Sequence, residues 1–152
     1  MDETNDVLEL LAEHELVLKK LYTIYTSIFK DHEAIWRKLA DDEQNHADWL
    51  MSLRPYPSII RWLDNESNLK PQSISNSIRY VEDQIQKAME GGITYMQALS
   101  TARDLESALI ERQFSRMKAA APDEIAKVMA RLCQETEKHL KTVVDEISSE
   151  KK

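Results

Sequence analysis

Trp36-Arg37-Lys38-Leu39-Ala40-Asp41-Asp42-Glu43-Gln44-Asn45-His46-Ala47-Asp48-Trp49-Leu50 decides how this chain folds. Trp36, Leu39, Glu43, His46, Leu50 and Leu53 follow one another in alternating steps of three and four. That spacing is the buried stripe of a bundle helix. Two of its six positions carry ionisable groups where leucine is expected. A carboxylate taken out of water loses several kcal/mol of hydration unless a partner replaces it. A metal ion is such a partner, and Glu-x-x-His on one helix face is a common way to hold one.

The same anomaly recurs in three other segments. Leu8, Leu11, Glu15, Leu18, Tyr22, Tyr25 and Phe29 form a stripe with Glu15 as its one ionisable group of the Asp/Glu/His kind. Tyr95, Leu99, Ala102, Glu106 and Leu109 form another, interrupted by Glu106. Ile125, Met129, Leu132, Thr136, His139 and Val143 form a fourth, with Thr136 and His139 on the seam. In an antiparallel pair, residues equidistant from the turn lie level. Glu15 and His46 are centred on Lys30/Asp31, where Asp31 is expected to cap a new helix. Glu106 and His139 are centred on Pro122/Asp123, and proline suits a first helical turn. Both hairpins therefore level their polar residues to within about one 5.4 Å turn. A buried glutamate can also serve only to fix the register of a bundle; five such residues levelled by two separate turns favour metal.

The 152 residues suit one domain with a core of its own. Only two glycines and four prolines, with no sustained two-residue alternation, predict an all-α chain. Helices are expected at about 5–30, 32–53, 75–90, 94–119 and 123–148. They give a first hairpin over about 5–53, a link over 54–93 and a second hairpin over about 94–148. Pro55 and Pro57 end the second helix, and Ile59–Leu69 is open between a short packed helix and irregular chain. Gly91-Gly92 stops the next run, and Thr94-x-x-Gln97 restarts it as a capping box. The two hairpins repeat one pattern, Glu then about thirty residues then His. A link of that length can carry the chain back along a bundle.

The net charge of −7 disfavours nucleic acid and anionic membrane as partners. Cys133 alone excludes an intrachain disulfide or a four-cysteine metal site in this chain, and reads as a structural thiol. With neither a long apolar span nor a recognisable signal segment, a cytoplasmic protein is expected. Tyr22, Tyr25, Trp36 and Trp49 read as packing, and Trp62 as packing or a cover in the link. His14, about 100° round the helix from Glu15, His32 in its turn, and the Asp41-Asp42 pair read as solvated surface.

Glu15 with Tyr22 one heptad on, Trp36-x-x-Leu39-Ala40-x-x-Glu43-x-x-His46-Ala47, Ala98-x-x-x-Ala102-x-x-x-Glu106, and Leu132 with His139 together resemble the rubrerythrin branch of the ferritin-like superfamily. The resemblance runs through nearly the whole chain in element order and is closest in the first hairpin. It implies an antiparallel four-helix bundle whose link crosses it, and a di-iron carboxylate centre inside. Carried over by position, the implied ligands are Glu15, Glu43, His46, Glu106 and His139. The implied activity is an oxidoreductase one, reducing peroxide or oxygen. Electrons would arrive from an external donor, because this chain has no rubredoxin-like cysteines.

Thr136 departs from the pattern, which has Glu there. Glu135 and Glu137 flank it, each about 100° off the seam. Three carboxylates carry three negative charges against four positive on two ferrous ions. One or two iron ions are therefore both open, and zinc or manganese suits the same donors. A non-enzymatic iron-handling protein and a degenerate bundle serving as a structural or interaction module are the competing readings. Pairing through outer helix faces, common in ferritin-like bundles, implies a homodimer by analogy.

Overall fold

A computed structural model describes residues 6–111 and 122–151. All regular structure in them is helical. The helices are α1 (Val7–Ile28), α2 (Glu33–Met51), α3 (Pro57–Asn65), α4 (Pro71–Glu90), α5 (Tyr95–Leu109) and α6 (Asp123–Glu150). A single 3₁₀ turn, Lys30–His32, joins α1 to α2. The chain divides into two compact units, 1–91 and 92–152.

In the first unit, α1 and α2 form an antiparallel hairpin. Asp6 caps α1 by accepting from the Glu9 N–H at 2.8 Å. Cross-pairs then mark the register along its length: Arg54 with Asp6 at 2.6 Å, His46 with Glu15 at 3.1 Å, and Lys19 with Gln44 at 2.8 Å. Tyr25 and Trp36 meet edge-to-face near the turn, with ring centroids 4.8 Å apart. All four pairs lie nearly equidistant from Lys30 and Asp31, as the sequence spacing requires. The stripe of α1 is buried from Leu8 to Tyr25, and that of α2 from Trp36 to Leu50. Leu53, the last member, is buried just beyond the end of α2.

The link is mostly helix. Pro57 opens α3, whose Ile59 and Leu63 are buried, so the undecided segment is a short packed helix. Asp64 holds it to the start of α1 by accepting from the Val7 N–H at 2.9 Å. The 20-residue α4, about 30 Å long, packs against α1 through Ile74, Ile78, Val81 and Ile85 on its buried face. Gly91 ends it at φ +87°, a conformation open to glycine at little cost.

The second unit is the α5–α6 hairpin. Thr94 and Gln97 form the expected capping box. Ala98, Leu99, Ala102, Leu105, Glu106 and Leu109 are buried on α5; Ile125, Met129, Leu132, Thr136, His139, Val143 and Ile147 are buried on α6. Tyr95 donates its hydroxyl to Glu146 at 2.6 Å, and His139 meets Glu106 at 3.3 Å. Both pairs fit an antiparallel arrangement. The expected continuation of the α5 helix to 119 lies outside the described residues beyond Glu111.

Several local expectations change. Asp31 lies inside the 3₁₀ turn, so α2 begins at Glu33 with His32 at its N-cap position and no side-chain cap. Pro122 sits at the N-cap of α6, one place before the first turn. α4 begins at Pro71 instead of 75, because proline at the first helical position starts a helix readily. Among the described residues, no helix is long and apolar enough to cross a membrane.

Candidate metal centre

The first hairpin builds a cluster of three ionisable side chains in its interior. α1 presents Glu15 between Leu11 and Leu18 on the buried stripe, and α2 presents Glu43 and His46 one turn apart. The Glu15 and His46 residues are 1 % exposed and Glu43 is fully buried. His46 Nδ1 lies 2.9 Å from Glu43 Oε1 and 3.1 Å from Glu15 Oε1. One ligand atom from each of the three lies within 4.8 Å of the others.

The electrostatics of the cluster follow from its dryness. Burial pushes the Glu15 carboxyl up to about 7, and the neighbouring Glu43 carboxylate adds to the effect. Burial alone would lower His46, but hydrogen bonds to Glu15 and Glu43 outweigh it and push the imidazole up to about 10. Two carboxylates thus compete for positive charge at one point, supplied by a proton shared through the imidazole. A divalent cation satisfies the same three groups more fully, because it accepts electron pairs from all of them at once. The donor set, two carboxylates and an imidazole, suits iron, manganese or zinc.

The second hairpin repeats part of this arrangement. Glu106 on α5 is fully buried and His139 on α6 is 4 % exposed, with Nδ1 of His139 3.3 Å from Oε1 of Glu106. Thr136 stands one turn before His139, where the first hairpin has Glu43, and is 1 % exposed. Glu135 is part-buried and paired with Lys138 at 3.3 Å, and Glu137 is exposed. Neither flanking glutamate therefore takes the seam position.

All five sequence-predicted residues are buried, and each hairpin brings its own members together. Trp49 packs as expected, and its ring centroid lies 5.3 Å from that of the His46 imidazole, tilted by 38°. The three-residue spacing on one helix was the available signal. His14 is a correction: it is 3 % exposed and not solvated. α1 contacts both α2 and α4, so its buried surface is wider than one stripe. Burial holds the His14 imidazole below its usual pKa, against the opposing charge of Glu15. Asp42 is a second correction, being 8 % exposed with its carboxylate clamped by Lys38 at 2.7 Å, while Asp41 is exposed as expected. His32 is half-buried in its turn. Tyr22 and Tyr25 pack on Trp36 in the core of the hairpin.

Set against family models, curated proteins and solved structures, the chain finds no match in any of the three.

Proposed function

We propose that this chain is a rubrerythrin-like metal-binding protein that holds iron within a ferritin-like four-helix bundle. In this reading α1, α2, α5 and α6 are the four helices, and Glu15, Glu43, His46, Glu106 and His139 are the metal ligands. The observation that carries it is the Glu15–Glu43–His46 cluster. Two carboxylates and an imidazole converge in an interior where each is at most 1 % exposed. Left to themselves such groups oppose burial, and a cation removes that opposition. The repeated Glu–His contact of the second hairpin supports a second set of ligands of the same kind.

Iron bound there supplies one electron per ion for reducing peroxide or oxygen, with re-reduction by a donor outside this chain. The protein's own part is to hold three to five ligands rigidly, keep bulk water out, and release the protons on Glu15 and His46 as the ion enters. Trp36, Tyr22 and Tyr25 pack beyond the site and fix the hairpin register on which the ligand positions depend.

A second reading is favoured by Thr136. With a carboxylate missing from α6, a single ion on the first hairpin makes this an iron-binding or iron-handling protein without turnover. Anomalous diffraction at the iron edge, from crystals grown with ferrous iron, separates these readings. Two peaks among the five ligands support the di-iron reading, one beside Glu15, Glu43 and His46 supports the second, and none refutes both.

A further inference from the structure

Thr136 carries a buried hydroxyl with no hydrogen-bond partner among the described residues. The residue is 1 % exposed, in the middle of α6. Such an orphan loses its hydration without replacement, and native interiors hold few of them. A helical threonine has an easy remedy, which is to donate to the carbonyl four residues back. Thr23 and Thr26 both do so, to Lys19 and Tyr22, at 2.8 Å each. Thr136 does not. Its hydroxyl is kept off its own backbone, although valine would fill the same volume with nothing left to satisfy.

The position of this hydroxyl gives it meaning. Thr136 is one turn from His139 on the same buried face of α6, and His139 is held against Glu106. In the first hairpin the equivalent position belongs to Glu43, which meets its histidine at 2.9 Å. The repeat therefore exchanges a carboxylate for a shorter group that donates as well as accepts. The exchange removes a negative charge and the reach of a longer side chain beside Glu106 and His139.

We propose that Thr136 is the docking residue for a small exogenous ligand, water or a small anion, taken up beside Glu106 and His139 in the place that the first hairpin gives to a carboxylate. This rests on the metal-binding reading above and adds to it that the second hairpin takes up a ligand from solution. The hydroxyl donates to the incoming anion.

The test is azide binding by the iron-loaded full chain, followed by its visible charge-transfer absorption, in wild type, Thr136→Val and Thr136→Ser. Iron content is measured first on every sample. Loss of one hydrogen bond predicts azide affinity about tenfold weaker in Thr136→Val. Thr136→Ser, which keeps the hydroxyl, stays within about twofold of wild type, and iron content is equal in all three. Azide binding in Thr136→Val as tight as in wild type overturns the proposal, as does absence of azide binding in iron-loaded wild type. A wild type that takes up no iron overturns the metal-binding reading itself, and this proposal with it. Thermal unfolding of the metal-free proteins supplies a readout independent of iron: Thr136→Val melts at or above the wild-type temperature if the hydroxyl is unsatisfied. A clear fall in melting temperature means that it has a structural partner, and overturns the proposal.

Discussion

Nδ1 of His46 lies 3.1 Å from Oε1 of Glu15, bridging α2 to α1 in the interior of the first hairpin. The same atoms of His139 and Glu106 lie 3.3 Å apart in the second. Each contact joins two helices at the same height from their turn. This is what a duplicated metal half-site requires, and hydrophobic packing alone gives no reason for it.

The pH dependence of the metal-free protein follows from the first of these contacts. Glu15 rises from 4.5 to about 7 through burial and the Glu43 charge. His46 rises from 6.5 to about 10 because its hydrogen bonds to both glutamates outweigh burial. Both groups bind protons more tightly folded than unfolded. The stabilisation from Glu15 is full below 4.5 and is lost as pH climbs to about 7; that from His46 is full below 6.5 and is lost towards about 10. Their contribution therefore falls with rising pH. Metal needs those protons gone, so it should raise the melting temperature more at about pH 8 than at about pH 5.5. Melting curves with and without ferrous or zinc ion check this, and a larger metal effect at the lower pH contradicts it.

Glu15 and His14 are neighbours with opposite expected outcomes. Glu15→Leu removes a ligand and should strip the protein of metal while leaving it folded, since it also removes a buried carboxylate. His14→Leu changes a buried imidazole whose Nδ1 has no hydrogen-bond partner among the described residues. It should leave metal content unchanged and cost less than about 1.5 kcal/mol. Metal content and chemical denaturation, measured on both variants, check the pair.

Thr136→Glu restores the carboxylate of the repeat. Iron stoichiometry or affinity should increase, because a fourth negative charge then balances two ferrous ions. Isothermal titration with ferrous iron under anaerobic conditions reads the change. A titration identical to wild type means that α6 does not face the metal.

Asp6→Ala tests the hairpin frame away from the site. Asp6 caps α1 and pairs with Arg54, which lies beyond the end of α2; Arg54 chiefly, and the Glu9 N–H, hold its carboxyl below the usual range against the effect of burial. Its removal should cost about 1–2 kcal/mol in urea denaturation, mostly the lost cap. Metal content should not change.

The helical seams were legible because spacing alone reports them. Glu15, Glu43, His46, Glu106 and His139 stood out as ionisable residues at apolar positions, and counting from the turns paired them. The burial of His14 was not legible, since a single stripe of α1 was counted and α4 covers further surface from a distant part of the chain. Asp42 escaped for a related reason: one turn of helix brings Lys38 over it, and a charge beside another charge looks solvated in sequence. Asp31 failed as a cap because the connection tightens into a 3₁₀ turn, so that the chain enters α2 one residue later. Turn geometry of that kind depends on how the two helices pack and not on the turn residues alone. The orphaned Thr136 hydroxyl needed coordinates, because threonine commonly satisfies itself within a helix.

Metal analysis of the chain purified from iron-replete cells, beside Glu43→Ala purified identically, tests the central claim most directly. Wild type should carry at least one iron per chain and Glu43→Ala only background. Wild type without metal, or a Glu43→Ala variant that keeps the wild-type content, contradicts the account.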